Sequence, residues 1–256
     1  MDCRHDNQEM TQVFYAPPDN ISEETVILTD EEAHHACIVM RLEAGESIMV
    51  VDGQGTGYQT TIEKIGKRRV ECRVTLRIPD FGEPCHHVTL AAGLSTGFKF
   101  DEVIQRGTEL GVSRFIPMVS EKSKVRIDDE KRLRTKLERW NKVAVASMKQ
   151  TNRSLLPAID SITEFGAVLS QANHIATRLL FDPAHAEGNI QDLKIDSREN
   201  SVILIVGPEA GFTAEEAELA GGKGCHILSL GKRILRTENA SPVAVALVMN
   251  LLGELR

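Results

Sequence analysis

Apolar and polar positions change their period about one third of the way along this chain of 256 residues. The first third contains short stretches with alternating or clustered apolar residues, which are typical of strands in a small β-rich unit. Beyond it, continuous apolar runs alternate with longer segments of helical character, which predicts buried strands connected by helices. The pattern therefore predicts a β-rich part followed by an α/β part.

In the first part, the pattern predicts one helix and three strands after about ten polar residues. Thr29 and Glu32 have the spacing of a capping box, in which each side chain binds the backbone N–H of the other residue, before a helix over 33–42. The strands are predicted over 47–52, 58–65 and 69–78. The glycine-rich residues 53–57 favour a hairpin over a dinucleotide-binding loop, because a strand pattern follows them. Together these elements predict a small barrel.

Residues 79–84 contain two prolines, a glycine and charged side chains, and this composition predicts a linker. Strands are then predicted over 88–94, 114–119, 174–181, 202–206 and 226–230, and helices over 99–110, 128–150, 163–171, 213–220 and 241–253. Strands that alternate with helices predict a mostly parallel sheet with helices on both faces. We therefore expect a polar extension over 1–9, a barrel domain over 10–82 and an α/β domain over 83–256.

Composition limits the class of protein. Hydrophobic residues at 41% and charged residues at 26% are typical of a soluble globular chain. No apolar run approaches the roughly 20 residues that a membrane-spanning helix needs, and the first residues do not have the apolar core of a signal peptide. The five cysteines are scattered and odd in number, which argues against a disulfide framework. We expect a cytoplasmic protein.

The net charge of −7 conceals a basic middle segment. Residues 85–160 contain 14 Lys and Arg against 9 Asp and Glu, whereas 1–84 contain 8 against 16 and 161–256 contain 8 against 12. Eleven of the basic residues lie within 121–153. Such a segment can bind nucleic-acid phosphates even in an acidic protein, although a solvated helix face has the same composition.

Motifs for several reaction classes are absent from the sequence: there is no P-loop, no serine-hydrolase G-x-S-x-G and no metalloprotease H-E-x-x-H. The two groupings that resemble metal ligands are His34-His35 near Cys37 and Cys85 near His86-His87. Neither has the spacing of a zinc finger, so we expect no metal. His35 could instead contact RNA.

Two loops near the C-terminus combine glycine with charge. The first, 207–212, follows an apolar strand, and Gly207 and Gly211 allow the backbone to approach a ligand closely. Thr213 and Glu216 have capping-box spacing at the start of the next helix. The second loop, residues 230–240, places charges of both signs between an apolar strand and an apolar helix. Loops of this kind at strand ends are typical of a ligand site.

These loops carry a resemblance to a known family. Gly-Pro-Glu-x-Gly-Phe at 207–212 and Leu-Gly-x-Arg-Ile-Leu-Arg-Thr-Glu-x-Ala at 230–240 resemble the paired cofactor loops of the SPOUT methyltransferases. The similarity is most specific to the RsmE-type family, which methylates N3 of a uridine in small-subunit 16S ribosomal RNA. Further similar stretches are 34–45, 98–112, 116–124 and 138–142. The resemblance extends in order over residues 10–255.

The resemblance implies a PUA-like RNA-binding β-barrel followed by a mostly parallel α/β domain tied in a trefoil knot. It also implies S-adenosylmethionine as methyl donor, small-subunit ribosomal RNA or the assembled small subunit as partner, and a homodimer with its active site near the subunit interface. The residues implied to bind the cofactor are Leu204, Gly207, Pro208, Glu209, Gly211, Leu230, Gly231, Ile234, Leu235 and Arg236. Residues 181–183 occupy the position of a third loop with a less distinctive match.

Methylation of uracil N3 requires removal of the N3 proton while negative charge spreads onto the carbonyl oxygens. We expect Glu238, or less favourably Glu209, to accept the proton and Arg236 to stabilise the charge. The alternative is that Glu238 forms a salt bridge with Arg236 or Arg233 and only shapes the loop. The residues expected to bind RNA are Arg41, Lys122, Lys124, Arg126, Arg132, Arg139 and Arg153.

Some positions depart from the family pattern, and most lie on the side expected to face RNA. Ala210 replaces a glycine, Asn239 replaces a threonine, and Thr96 stands where a lysine is common. Pro242 is expected in the first turn of the last helix, where proline is tolerated. Two alternatives remain: a methyltransferase of this fold with another RNA target, including a ribose 2′-hydroxyl, and an inactive RNA-binding factor for ribosome assembly.

Overall fold

The computed structural model describes residues 12–94, 99–123, 130–193, 195 and 200–255. The chain forms two compact units. The first contains the residues up to Glu83 together with Met148–Leu156, and the second contains Pro84–Ser147 and the residues from Pro157 onward. The sequence pattern does not predict that 148–156 joins the first unit. The expected extension over 1–9 lies outside the described residues.

The first unit is built on a five-stranded sheet in the order β1-β3-β4-β5-β2. Its strands are β1 (Val13–Tyr15), β2 (Thr25–Thr29), β3 (Ser47–Val51), β4 (Thr56–Ile65) and β5 (Arg69–Pro79). Two register shifts between β4 and β5 increase the local twist, so the sheet curls around a core that includes Phe14, Leu28 and Ile62. The barrel-like expectation is confirmed. The pattern misses β1 and β2, because strands of three and five residues are too short to show a clear period.

The expected capping box at Thr29 is wrong. A helix, α1 (Asp30–His34), begins after Thr29, and a π-helical turn, His35–Val39, continues it, but the Thr29 side chain makes no capping bond. The Glu32 carboxylate instead accepts a hydrogen bond from the Tyr15 backbone N–H at 3.2 Å and forms an ion pair with Lys149. These partners lie far away in the chain, so a local rule could not anticipate them.

The predicted linker contains an anchor of the first unit. Glu83 accepts hydrogen bonds from the Arg153 guanidinium at 2.6 and 3.1 Å and from the backbone N–H groups of Ser154 and Leu155 at 2.8 Å. The side chains of Arg153 and Glu83 are 3% and 7% exposed. Arg153 was expected to bind RNA, and this expectation is corrected, because its guanidinium is buried against a carboxylate.

The second unit contains a sheet in the order β11-β13-β10-β12-β6-β7-β8, and β9 pairs with β7. The strands are β6 (His87–Gly93), β7 (Val112–Val119), β8 (Ala158–Ile159), β9 (Thr163–Glu164), β10 (Thr177–Phe181), β11 (Gly188–Asn189), β12 (Ser201–Val206) and β13 (His226–Ser229). Every pairing between these strands is parallel. The predicted parallel sheet is therefore confirmed.

Helices cover both faces of this sheet. They are α2 (Lys99–Glu109), α3 (Glu130–Gln150), α4 (Phe165–Gln171), α5 (Ala214–Gly222) and α6 (Thr237–Leu252), of which the end of α3 belongs to the first unit. On one face, Ile203 and Ile205 share a core cluster with Phe165 of α4 and Ala217 of α5. Successive side chains of a strand point to opposite faces, so Leu204 lies on the other side, where α6 packs against β6 and β12. None of the described helices has the length and apolar character needed to cross a membrane.

The last helix begins earlier than the pattern predicts, at Thr237, so Pro242 lies inside it rather than in its first turn. Proline has no N–H, and in an α-helix the N–H of residue 242 would bind the carbonyl of residue 238. In this structure Arg106 of α2 donates to the Glu238 carbonyl oxygen at 3.3 Å. The guanidinium therefore satisfies the group that the proline leaves without an intrahelical partner.

Candidate functional site

Three loops at one edge of the parallel sheet enclose a cavity of about 220 Å³. They follow the carboxyl ends of the neighbouring strands β10, β12 and β13, which is where ligands bind in parallel sheets. Most of the residues expected to bind the cofactor line the cavity: Gly207, Pro208, Glu209, Gly211, Leu230, Gly231, Ile234 and Leu235. Leu204 and Arg236 do not line it. Leu204 is fully buried inside β12, and its contact with the cofactor stays a prediction.

The first loop lies directly against the end of β6. A Cβ atom on Gly93 would stand 2.7 Å from the carbonyl carbon of Gly207 and from the Cα of Pro208, which is closer than real Cβ contacts. Only glycine allows the strand and the loop to approach each other this closely. Beyond the loop, Thr213 and Glu216 form the predicted capping box of α5, with bonds of 2.9 and 3.1 Å. Both ends of the loop are therefore held.

A buried hydroxyl joins the first loop to the second. Thr237, which is 3% exposed, donates from Oγ1 to the Gly207 carbonyl oxygen at 2.9 Å. Gly231 lines the cavity with φ +113°, and no atom lies within 4 Å of where its Cβ would be. Ile234 also lines the cavity and is 86% exposed. The second loop thus presents backbone, the large apolar residues Leu230, Ile234 and Leu235, and the charged Arg233 to a ligand.

The third loop contributes a buried carboxylate that the sequence reasoning did not select. Asp182 follows β10, lines the cavity and is 3% exposed. It accepts a hydrogen bond from the Ala184 backbone N–H at 3.1 Å and pairs with His185 Nδ1 at 2.6 Å. The available signal was an aspartate placed directly after an apolar strand.

A cluster of four charged side chains lies beside the cavity. Glu238 is buried, and its Oε1 atom lies 3.6 Å from Lys99 Nζ. Lys99 Nζ also donates a hydrogen bond to Glu209 of the first loop. This hydrogen bond is the main reason that the pKa of Lys99 is raised, and the nearby charge of Arg236 opposes the shift. Lys99 was absent from the predicted site, because its position at the start of α2 does not reveal which loops it meets.

The two oxygens of Glu238 have different surroundings. Within the part of the chain that the structure describes, Oε2 is buried and has no hydrogen-bond partner. Among the same residues, Glu238 forms its ion pair with Lys99. The alternative expectation, a salt bridge of Glu238 with Arg236 or Arg233, is therefore wrong about the partner. A buried carboxylate oxygen without a donor is costly, and it can accept a proton from a bound molecule.

The residues expected to bind RNA have different environments. Arg132 on α3 and Arg41 after the π-helical turn are exposed, and Arg139 is partly exposed and paired with Asp101. Lys122 donates to the Phe212 carbonyl oxygen at 2.7 Å, so it also supports the first loop. Lys124 and Arg126 lie outside the described residues.

Metal ligands do not converge in the described ranges: no three His, Cys, Asp or Glu side chains there could hold an ion together.

Comparison with known proteins covers both units. Residues 82–249 match the family model described as an RNA methyltransferase domain, and residues 28–75 match the one described as an RNA methyltransferase PUA domain. Over 237 residues the chain is 32% identical to ribosomal RNA small subunit methyltransferase E of Synechocystis sp., which covers 92% of this chain and 76% of the relative. The Bacillus subtilis protein of the same name is 31% identical, over 88% of this chain and 89% of that protein.

A solved structure extends the likeness to three dimensions. The crystal structure of ribosomal RNA small subunit methyltransferase E from Neisseria gonorrhoeae, bound to S-adenosyl methionine, aligns with a TM-score of 0.82. The alignment covers 94% of this chain and 98% of that chain at 29% identity. The structural similarity therefore extends over most of the chain.

Proposed function

This chain belongs to the ribosomal RNA small subunit methyltransferase E family, and we propose that it methylates N3 of a uridine in 16S ribosomal RNA. Family membership confirms the expected SPOUT fold with a PUA-like domain, and it confirms the class of enzyme, an S-adenosylmethionine-dependent rRNA methyltransferase. The observation that carries the residue assignment is the buried Oε2 of Glu238 beside the cofactor loops, which has no hydrogen-bond partner among the residues that the structure describes. We assign 10–82 to RNA binding and 83–256 to catalysis.

The lining of the cavity is compatible with S-adenosylmethionine. Gly231 faces open space, and the backbone of the first and second loops can follow an elongated ligand. Two carboxylates, Asp182 and Glu209, line the cavity and complement a cationic ligand. When bound, the cofactor supplies a methyl group on a positively charged sulfur. Gly207–Gly211 and Leu230–Leu235 are the segments that would hold it.

Glu238 is assigned as the proton acceptor for uracil N3, directly or through water. General base catalysis of this kind contributes on the order of 10²–10⁴ in rate. Glu238 is held at the start of α6 in two ways. Arg106 donates to the backbone carbonyl oxygen of Glu238, and Lys99 faces its Oε1 atom. Arg236, the N-cap residue of α6, is exposed and can stabilise the charge that develops on the uracil carbonyl oxygens. Holding uracil N3 in line with the methyl group of the donor would supply much of the remaining acceleration.

RNA binding is assigned to the basic side chains of α3 and to Arg41 of the PUA-like unit. Arg132 and Arg134 of α3 are exposed, and Arg139 follows on the same helix. Such side chains bind phosphates and fix the register of RNA, whereas the choice of nucleotide depends on contacts with the base. Because the proposed target is ribosomal RNA, we infer that the protein acts in the cytoplasm.

A homodimer is proposed from the exposed side of α6. Val243 and Leu251 of this helix are 38% and 39% exposed, although both are apolar and lie about two turns apart. A second copy that covers this side would remove them from water and bring its own surface close to the N-terminus of α6. Sedimentation of the purified chain at a dimer mass tests the assignment, and a monomer at micromolar concentration contradicts it.

The reaction itself is tested with small ribosomal subunits that lack the modification. The wild-type protein and labelled S-adenosylmethionine should yield 3-methyluridine in 16S RNA, located by primer extension and mass spectrometry. Glu238→Gln should lose methyl transfer by about 10²-fold or more while it retains cofactor affinity. Glu218→Gln, an exposed change on α5, is the matched control. Undiminished transfer by Glu238→Gln would refute its assignment as base, and a labelled ribose would refute the proposed target atom.

A further inference from the structure

Lys99 connects two carboxylates that belong to different parts of the site. It is the first residue of α2, and its Nζ atom donates to Glu209 in the first cofactor loop. The same Nζ atom lies 3.6 Å from Oε1 of Glu238 in the first turn of α6. Glu209 lines the cavity, whereas Glu238 stands beside it. One ammonium group therefore contacts both the wall of the cofactor cavity and the assigned proton acceptor.

The charges explain why a cation is needed at this position. Two carboxylates that share a site repel each other, and a cation between them offsets the repulsion. The side chain of Glu238 is only 10% exposed, so water compensates little of its charge. Because the hydrogen bond with Glu209 raises the pKa of Lys99 above its usual value, the amine stays protonated at neutral pH. Lys99 is thus a permanent positive neighbour of both carboxylates.

Lys99 also acts on the orientation of Glu238. It faces Oε1, and Oε2 is the oxygen that has no hydrogen-bond partner among the described residues. A carboxylate that is held through one oxygen presents the other in a defined direction. Proton transfer in the transition state requires the accepting oxygen to be placed correctly to within a fraction of an ångström.

We infer that Lys99 is a positioning residue for methyl transfer, which aligns Glu238 for proton removal and couples this alignment to the first cofactor loop through Glu209. The inference rests on the proposed function, since it gives Lys99 a role only if Glu238 accepts the N3 proton. Lys99 touches neither the substrate nor the methyl group in this assignment.

The test compares Lys99→Met and Lys99→Arg with the wild-type protein in the methylation of unmodified small subunits. Lys99→Met should lower kcat by about 10- to 100-fold with little change in the KM for RNA, because the carboxylate is misaligned while the RNA surface is intact. Lys99→Arg keeps a cation near both carboxylates and should restore much of kcat. Lys223→Met, which removes an exposed lysine near the end of α5, is the matched control and should behave as wild type.

A double variant separates positioning from a purely structural role. If Lys99 acts through Glu238, Lys99→Met combined with Glu238→Gln should be no slower than Glu238→Gln alone. Three outcomes would each overturn the inference. They are a further loss of activity in the double variant, an unchanged kcat for Lys99→Met, and a folded but inactive Lys99→Arg. If Lys99→Met does not fold, the activity of Lys99→Arg still tests the inference. A wild-type protein that methylates no uridine N3 overturns the proposed function and the inference together, whereas the other outcomes overturn the inference alone.

Discussion

Replacement of Gly93 by alanine should displace the first cofactor loop. The new Cβ would lie 2.7 Å from two backbone atoms of the Gly207–Pro208 pair, and ordinary van der Waals contact begins at 3.4 Å. The strand cannot move away easily, because β6 is paired on both sides, with β12 and β7. The loop must therefore recede by at least about 0.7 Å, the difference between these two distances, because the backbone N of Pro208 lies closer still to the new Cβ.

A shift of this size also affects the second loop. If the shift lies along the bond, the hydrogen bond from Thr237 to the Gly207 carbonyl lengthens from 2.9 Å to at least about 3.6 Å, which is beyond hydrogen-bond range. Overpacking typically costs about 1–3 kcal/mol, and loss of the hydrogen bond adds roughly 1 kcal/mol. If about 1.4 kcal/mol of this total is lost from the free energy of cofactor binding, the Kd for S-adenosylmethionine rises about tenfold.

Isothermal titration with S-adenosylmethionine and urea unfolding measure the two effects of Gly93→Ala. Gly166→Ala is the matched control, because Gly166 lies in α4 and no atom is within 4 Å of its added Cβ. Alanine has a higher helix propensity than glycine by about 1 kcal/mol, so this control should be neutral or stabilising. A Gly93→Ala protein with the wild-type Kd and a wild-type unfolding midpoint would refute the steric reasoning.

Three further perturbations test other parts of the structure. Arg153→Met should destabilise the protein by about 3–5 kcal/mol in urea unfolding, because it leaves the buried Glu83 carboxylate without its cation, whereas Arg134→Met removes an exposed pair and should change little; equal unfolding midpoints for the two variants would contradict the burial argument. The double variant Arg132→Glu, Arg139→Glu should weaken RNA binding. It should also reduce the slope of the logarithm of the RNA-binding constant against the logarithm of salt concentration by about one unit for each lost phosphate contact. An unchanged slope would exclude this surface as an RNA-binding site. Arg106→Leu should lower stability by about 1–3 kcal/mol, since the Glu238 carbonyl loses its donor. Pro242→Ala restores an N–H and should stabilise the Arg106→Leu protein more than it stabilises wild type; equal gains in the two backgrounds would show that the proline and the arginine are not coupled.

Continuous apolar runs made the α/β unit predictable. The segment from 202 to 206 is apolar at every position, as expected for a strand that is covered on both faces, and the structure buries all five residues. Local chemistry was equally informative where its partners are close in the chain. Thr213 and Glu216 form their capping box, because both members lie in one turn of the same helix.

The same local rule failed at Thr29. There the carboxylate of Glu32 meets Tyr15 and Lys149, which lie far away in the chain and offer stronger partners than the N-cap backbone. Arg153 was assigned to a basic surface on charge alone, and its burial depends on Glu83 in a segment that the pattern marks as a linker. Charge along a chain does not reveal which guanidinium will find a buried carboxylate.

The cofactor loops could be located from the sequence, because glycine, proline and charge at the ends of apolar strands are features of neighbouring residues. Asp182 carried the same kind of signal, since it directly follows an apolar strand, whereas Lys99 and Arg106 could not be assigned in this way. Their roles arise from the parallel strand order, which places the ends of β10, β12 and β6 side by side although long segments separate them in the chain. The elements and loop chemistry follow from short-range periodicity and residue type, whereas the contacts that complete the site depend on which distant segments the sheet brings within a few ångströms.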